Sequence, residues 1–598
     1  MRRMNYATRH RGPDGSVVLS DTGVTMGHNR LAIIDLSLAS SQPMKSPDGR
    51  FMLTYNGELY NFRELKEEIG DRYQFKTEGD TEVVLAAYMV WGHECVLKFN
   101  GMFAFAVWDR DREELFLARD HAGIKPLYYF WDGEQFIFSS EVKGILEGGV
   151  DRAIDMEAAS MYFRLSYVPE PYTMFAQIKS LPAGSLATLS KGLFSIERYF
   201  SLLDAPEETL LARDAAKELD ELLDRAVSRQ LVSDRPVGVF LSGGLDSSAV
   251  LSAAAKVHPG IDTFTVRFSL PESNEEEKFN EDAELAREVA AQFGAHHHEI
   301  TITPEEVPAL LLKAAFHMDV PVSNPTIPSM LRLSEETAKT ATVVLNGDGG
   351  DELFGGYTRY RFSKRVLLYQ KWVPAIARTL LAKVRPIFAK ANLPPGIGLF
   401  AQFMFQKDAT LASVLSPELV TNNAFDRYRD RYFSERGDFL RQFMSADREG
   451  WLVDEALMRT DRTTMAAALE ARVPLLDREL LAFAARVPTK LKTSLRVTKI
   501  LPRIAFRNRL SKNILIQKKR GWVSPGAKWL RHPDVLALAT EAFSKGYHPE
   551  TDALFNLPAL KNALADHVSG KQYNLYLLWS VLTFRLWAKT WQANAIVE

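Results

Sequence analysis

The chain of 598 residues is 46% hydrophobic and 25% charged, the composition of an ordinary soluble globular protein with room for two to four domains. Lys plus Arg is 73 against 75 for Asp plus Glu, a formal net charge of −2, which argues against a nucleic-acid-binding surface and a polybasic membrane anchor. One cysteine, Cys95, excludes an internal disulfide framework and any multi-cysteine zinc site, and with no apolar signal region among the first residues it points to the cytoplasm.

From Ser16 to about Phe200, short apolar runs alternate with turn signals. Strands are predicted at Phe51 to Tyr55 before an Asn56-Gly57 turn, Leu115 to Ala118, Leu127 to Phe130 and Gln135 to Phe138, with helices at Phe62 to Ile69 and Thr81 to Met89. Strands bracketing a few helices give an α+β domain of stacked sheets. Polar clusters recur at its turns: HRGPDG from His10, His28-Asn29-Arg30-Leu31, Tyr55 to Asn61, and Arg119-Asp120. Singly, each reads as a hairpin turn or surface ion pair.

Together, and with G-D-T-E-V, G-M-F-A-F-A-V-W-D and A-R-D-H-A-G-I-K-P-L-Y-Y, they resemble in order the class II glutamine amidotransferase domain of glutamine-hydrolysing asparagine synthetases. The resemblance implies, for residues 1–200, a four-layer sandwich of the N-terminal-nucleophile hydrolase type that frees ammonia from glutamine. It assigns Arg30 and Asp80 to the two charged ends of glutamine, Asn56 and Gly57 to the oxyanion hole, and Glu58 to the substrate ammonium. An acyl-transfer intermediate needs donors aimed at a developing oxyanion, which suits these residue types. The family nucleophile is a cysteine exposed at the extreme N-terminus. Here the second residue is Arg2, and Cys95 reads as packing. The expectation is that this sequence starts at an internal Met and lacks the first strand and the nucleophile of the domain, so that as written it would use only free ammonia.

Pro206 to Arg229 is predicted as an amphipathic helix. An apolar run at Val237 to Leu241 reads as a buried strand that breaks at Ser242-Gly243-Gly244, with a helix from Ser248 to Lys256. Such a strand, tight turn and helix N-terminus direct several N–H groups to one point and can cradle phosphate oxygens. Ser242 and Ser247 add hydroxyl donors and Asp246 a carboxylate for magnesium. There is no Lys after the glycines, so the GxxxxGK[ST] loop is excluded. The string S-G-G-L-D-S resembles the pyrophosphate loop of ATP pyrophosphatases. Strands at Thr263 to Phe268, His298 to Ile302 and Thr342 to Leu345 alternate with helices at Glu281 to Phe293, Pro304 to Phe316 and Ser329 to Thr340, the pattern of a doubly wound parallel sheet. Both polar loops would then open at one crevice.

The second loop, Asn346-Gly347-Asp348-Gly349-Gly350-Asp351-Glu352-Leu353-Phe354-Gly355-Gly356-Tyr357, is similar to the S-G-[ED]-G-[SG]-D-E-[LV]-F-G-G-Y signature of asparagine synthetases. The resemblance implies that Leu241, Val266, Asn346 and Gly347 contact adenosine, that Asp246 and Asp351 carry magnesium and pyrophosphate, and that Asp348 serves the adenylation and ammonia-transfer steps. Asp461 to Ala466, Glu470 to Asp477, Thr498 to Leu501 and Gln517 to Trp522 also follow the family, and Lys499 would neutralise charge at the α-phosphate. The stretch from Arg359 to Asp447, broken at Pro394-Pro395-Gly396, carries aromatics and basic residues in helical spacing and reads as a structural cap. His296-His297-His298 reads as the start of a strand rather than a metal site. The apolar run Leu575 to Trp587 is too short to span a bilayer and reads as a buried helix.

The combined expectation is an α+β glutaminase domain at 1–200 followed by an α/β ATP-pyrophosphatase domain at 205–598, making asparagine from aspartate through β-aspartyl-AMP with ATP, Mg2+ and glutamine or ammonia. Expected partners are these small molecules, with no nucleic acid and no membrane, and a homodimer is compatible. Asp319-Val320-Pro321-Val322-Ser323-Asn324-Pro325 departs from the family D-E-P-x-x-D pattern, which leaves a different carboxylate acceptor, or a β-lactam closure, as one alternative. A non-catalytic subunit is the other, opposed by the presence of Asp246, Asp348, Asp351 and Lys499 together.

Overall fold

The computed structural model describes residues 1–201, 206–385, 388, 391–392, 406, 408–421, 423–433, 438–517 and 523–592. The Pro394-Pro395-Gly396 break and the Lys518 to Trp522 part of the basic motif lie outside them.

A six-stranded antiparallel sheet forms the first half, in the order Leu193–Arg198, Ser185–Ser190, Glu114–Arg119, Gly101–Asp109, Phe51–Leu59, Met44–Lys45. Alternation along the central strand Gly101–Asp109 gives the sheet two apolar faces. Phe103, Phe105 and Val107 pack with Leu65, Ile69, Val83 and Val84 from helices Phe62–Ile69 and Asp80–Trp91. Ala104, Ala106 and Trp108 pack on the other face with Met26 and Leu127, beside a two-stranded sheet (Gly15–Asp21, Val24–Arg30) and a three-stranded one (Phe136–Ser139, Tyr128–Trp131, Ile178–Ser180). Cys95 is fully buried in the helix-side core, and burial pushes its thiol pKa up.

One predicted turn is absent. Phe51–Leu59 runs straight through Asn56-Gly57, pairing Asn56 with Ala104 and Gly57 with Phe103. A Cβ on Gly57 would sit 2.1 Å from the Met102 carbonyl oxygen. The glycine therefore serves close strand approach, and nine residues of ladder outweigh the local hairpin tendency of Asn-Gly.

In the second half five parallel strands lie in the order His296–Ile302, Asp262–Phe268, Val237–Phe240, Val343–Leu345, Glu470–Arg472. Val239 packs with Leu219, Leu223, Ala249 and Val250 from helices Ala212–Gln230 and Leu245–Val257 on one face. Phe240 packs with Val307, Leu311 and Leu333 from Val307–His317 and Ile327–Thr337 on the other, so the sheet is covered on both sides as its unbroken apolar strands require. Leu575–Trp591 is the expected buried helix. The helix predicted from Pro206 begins only at Ala212, because the preceding segment is tied down at long range: the Glu208 N–H donates to the Arg486 carbonyl at 2.9 Å and the Glu207 carboxylate accepts from the Thr489 N–H at 2.9 Å. The helix after Phe268 starts earlier than predicted, at Ser273. In the described part of the stretch from Arg359, helices Thr358–Trp372 and Ala375–Val384 come first. Among the described residues no helix is long and apolar enough to cross a membrane.

Candidate active sites

Two sites take shape, one in each half. In the first, a cavity of about 160 Å³ is lined by Arg30, Asn56, Gly57, Glu58 and Asp80, all five residues expected to handle glutamine, together with Arg11, Ser140 and Glu470. Strand Phe51–Leu59 delivers three of them, strand Val24–Arg30 the arginine, and the first residue of helix Asp80–Trp91 the aspartate. Asp80 Oδ2 accepts from the Tyr55 hydroxyl at 2.9 Å and the Leu59 N–H at 2.8 Å. Burial nevertheless pushes its pKa up to about 6, a carboxylate short of a cation. Arg30 donates to the carbonyls of Ser37 at 2.7 Å and Asp35 at 2.6 Å, which aims its guanidinium along the cavity wall. Asn56 Nδ2 reaches Ser140 Oγ at 3.4 Å.

Glu58 lines the cavity, but its carboxylate is also engaged from the other half of the molecule: Arg472 Nη2 lies 3.1 Å from Glu58 Oε1. Arg472 is fully buried, pairs with Glu470 at 2.9 Å and donates to the carbonyls of Gln230 and Val232. Its own carbonyl accepts the Asn346 N–H at 2.8 Å, so one residue touches both Glu58 of the first cavity and Asn346 of the loop after strand Val343–Leu345. The halves are joined further by Arg11 of the HRGPDG string, which forks onto Asp461 at 2.8 and 2.9 Å and meets Glu141 at 3.0 Å. Glu141 is fully buried, yet Lys143, Arg462 and His10 outweigh that burial and hold its pKa well below the carboxylate range.

The second site lies where strands Val237–Phe240 and Val343–Leu345, hydrogen-bonded neighbours, both end. After the first, Ser242-Gly243-Gly244 turns into helix Leu245–Val257, so Asp246 and Ser247 stand in the first turn, three residues ahead of the predicted start. Gly243 has φ +64, and a Cβ there would strike the Asp282 carbonyl oxygen at 2.7 Å. Ser247 Oγ lies 3.1 Å from Ser242 Oγ, and the Ser242 N–H donates to it at 3.3 Å, which closes the cradle. Leu241, which directly precedes this turn, is buried, and so is Val266 in the neighbouring strand Asp262–Phe268.

Glycines press the second loop against the first. A Cβ on Gly347 would meet the Ser247 nitrogen at 2.9 Å, and one on Gly350 the Asp246 carboxylate at 2.5 Å. Lys499, 4% exposed, pairs with the carboxylates of both Asp246 and Asp351, the latter at 2.5 Å. Lys499 holds φ +53, a left-handed backbone unusual for a lysine, sustained by the surrounding packing. Asp348 Oδ2 accepts from Asn346 Nδ2 at 2.8 Å and from Thr460 Oγ1 at 2.8 Å. Ser242, Asp246, Ser247, Asn346, Gly347, Asp348, Asp351 and Lys499 are thus gathered around the ends of these two strands, with Val266 in the adjoining strand.

Thr460, Tyr55 and Arg472 were not singled out by sequence. Thr460 immediately precedes Asp461-Arg462 and Tyr55 opens Y-N-G-E, so adjacency to a motif was the available signal; for Arg472 there was only membership of Glu470 to Asp477. In the Asp319 to Pro325 stretch, Asn324 donates to Glu455 Oε1 at 2.6 Å, and Glu455 pairs with Arg459 at 2.8 Å. The histidine run opens strand His296–Ile302 as expected, where His298 pairs with Asp262 at 2.8 Å and His297 contacts the Thr263 hydroxyl.

Residues 1–200 match the glutamine amidotransferase domain family, and residues 218–592 match the asparagine synthase family. The chain is 34% identical to asparagine synthetase (glutamine-hydrolyzing) 1 of Bacillus subtilis, over 98% of this chain and 93% of that protein. It is 33% identical to a putative asparagine synthetase (glutamine-hydrolyzing) of Mycobacterium bovis, over 100% of this chain and 94% of the relative. Against asparagine synthetase B (glutamine-hydrolyzing) of Escherichia coli the identity is 34%, over 58% of this chain and 60% of that one.

Proposed function

The chain belongs to the glutamine-hydrolysing asparagine synthetase family, and from that premise we propose that it makes asparagine from aspartate and ATP, with ammonia drawn from glutamine. The proposal divides the chain into a glutaminase domain at 1–200, a four-layer sandwich of the N-terminal-nucleophile type, and an ATP-pyrophosphatase domain at 205–598. Helices packed on one apolar face of the six-stranded sheet and two smaller sheets beside the other support the first, and the covered parallel sheet supports the second.

The observation that carries the reading is Lys499 held between Asp246 and Asp351 across two loops. A buried ammonium tied to two carboxylates is poised to move onto phosphate oxygens as negative charge builds there. The aspartate β-carboxylate would attack the α-phosphorus, releasing pyrophosphate into the Ser242 to Ser247 cradle, whose N–H and hydroxyl groups suit it. Ammonia would then attack the acyl carbon of β-aspartyl-AMP and the acyl C–O bond would break to expel AMP, with Asp348, oriented by Asn346 and Thr460, accepting the proton that ammonia loses. In the first site Arg30 and Asp80 would take the two ends of glutamine, and a bound ammonium would relieve the cation shortage at Asp80.

Two carboxylates facing one point fit a magnesium ion that completes its shell with phosphate oxygens and water, and such an ion would neutralise part of the pyrophosphate charge. Asp246 and Asp351 would hold it. A homodimer belongs to the same proposal and is readable by light scattering.

Incubating the protein with ATP, aspartate and an ammonium salt tests the reading. Aspartate-dependent release of AMP and pyrophosphate with matching asparagine is expected. AMP release that ignores aspartate and follows another carboxylate would overturn it.

A further inference from the structure

Charge is unevenly distributed along this chain. Between Glu352 and Asp408 the sequence holds ten Lys and Arg residues and no Asp or Glu, although the formal net charge of the whole is −2. Two helices occupy the described part of that stretch. Thr358–Trp372 is anchored to the body: Arg359 pairs with Asp447, the Tyr360 hydroxyl donates to Asp447 at 2.5 Å, and Lys364 donates to the Thr493 carbonyl at 2.5 Å. Ala375–Val384, by contrast, buries no residue. Its Ile376, Leu380 and Val384 follow one another at four-residue spacing and so share a face. They are 79%, 60% and 76% exposed, and Trp372, just before the helix, is 73% exposed. Lys371, Lys383 and Arg385 are exposed around them. Scattered exposed apolar residues are ordinary, but a contiguous stripe ringed by one sign of charge marks an interaction surface.

We propose that this helix is a membrane-surface element: Trp372, Ile376, Leu380 and Val384 enter the headgroup boundary of an anionic lipid bilayer while the surrounding lysines and arginines meet lipid phosphates. The sign of the charge selects the occupant. A second copy of this chain docking through the same helix would bring the same positive charge to the contact. A nucleic acid would match the charge but has no use for four exposed apolar side chains. Apolar residues with Trp on one face and Lys and Arg around it are the composition of helices that lie in the interface, and basic clusters are drawn to the negative surface of such bilayers. The overall charge balance argues against a basic anchor only as an average, and this segment is what the average conceals. Because Thr358–Trp372 follows directly on the Asp348 to Gly356 loop, docking would hold the adenylating site beside the bilayer.

Sedimentation of the full chain with vesicles of phosphatidylcholine alone, or mixed with phosphatidylglycerol, tests this. Binding to the mixed vesicles only, weakening as salt rises, is expected. Ile376→Asp with Leu380→Asp should lower vesicle affinity by about tenfold or more, and Lys383→Glu with Arg385→Glu should also lower it. Both variants should keep the AMP-forming rate in solution, since none of these side chains is placed at the nucleotide loops. Failure to bind mixed vesicles at low salt would overturn the proposal, as would binding unchanged in both variants. A change of oligomeric state in the Asp variant without vesicle binding would assign the stripe to a second copy instead, and preferential binding of single-stranded DNA that survives the Asp substitutions would assign the basic residues to nucleic acid.

Discussion

The cavity around Asn56 stands open with a buried carboxylate short of a cation, whereas the crevice between the Ser242 and Asn346 loops is closed on its own charges. In the first, Asp80 is held by two neutral donors and its pKa rises to about 6. In the second, Lys499 reaches two carboxylates at once. The difference teaches what each site waits for. An open cavity with an under-neutralised carboxylate is prepared for a ligand that brings its own positive charge, such as an amino acid. A lysine clamped between aspartates is prepared for a ligand that brings negative charge and a cation, which would release the lysine and take over the aspartates.

The largest break in that comparison is Lys499→Met. It should lower ammonia-supported AMP formation by about 10²–10³-fold, the usual loss when a preorganised charge at a reacting phosphate is removed, while glutamine affinity of the cavity stays unchanged. A rate within tenfold of the parent would make Lys499 a structural lock instead. Next is Asp80→Asn. The folded pKa of Asp80, about 6, lies above its ordinary 3.8 because burial disfavours the charge, so ionisation costs the folded state about 2–3 kcal/mol at neutral pH. The folded protein holds this proton where the unfolded chain has lost it, and stability from this group falls as pH rises from about 4 to 6. The asparagine variant should therefore gain stability over the parent across that window, hold the gain above it, and lose glutamine binding. A pH-independent difference in urea midpoints would contradict the assignment.

A smaller effect, on shape alone, is expected from Gly57→Ala. Its Cβ would land 2.1 Å from a backbone oxygen in the sheet, so the strands must part, at about 1–3 kcal/mol. Thermal unfolding should shift down and glutamine binding weaken, with AMP formation retained. An unshifted transition with parental glutamine affinity would remove the close-approach argument.

The same glycine shows where sequence stops being legible. Asn56-Gly57 carries two short-range signals, a turn and a site; the turn is absent, because ladder pairing with Gly101–Asp109 is decided by residues far along the chain, and one cavity gathers both residues with Arg30, Glu58 and Asp80. Loop strings such as Ser242 to Ser247 and Asn346 to Gly356 were readable because their glycines and carboxylates act within a few residues of one another. The parallel sheet was readable because each strand carries its own apolar run. Arg472 was not, since its reach to Glu58 and to Asn346 exists only after both halves have packed. The start of helix Ala212–Gln230 failed for the same reason: Glu207 and Glu208 are claimed by Thr489 and Arg486.

Thr460→Val asks the least of the molecule and bears on how the closed crevice is tuned. Thr460 Oγ1 donates to Asp348 Oδ2 at 2.8 Å beside Asn346 Nδ2 at the same distance, and valine replaces that hydroxyl with a methyl of similar size. Asn346 would remain, and Asp348 is only partly buried, so water can take the vacated lone pair. The loss should then be that of one ordinary hydrogen bond, about 1 kcal/mol or roughly fivefold in rate. It should appear in kcat for ammonia-dependent synthesis and leave KM for ATP unchanged, because the bond orients Asp348 without touching the nucleotide cradle. Thr460→Ser should restore the rate. If valine instead raises KM for ATP with kcat intact, Thr460 serves the shape of the loop and does not orient Asp348.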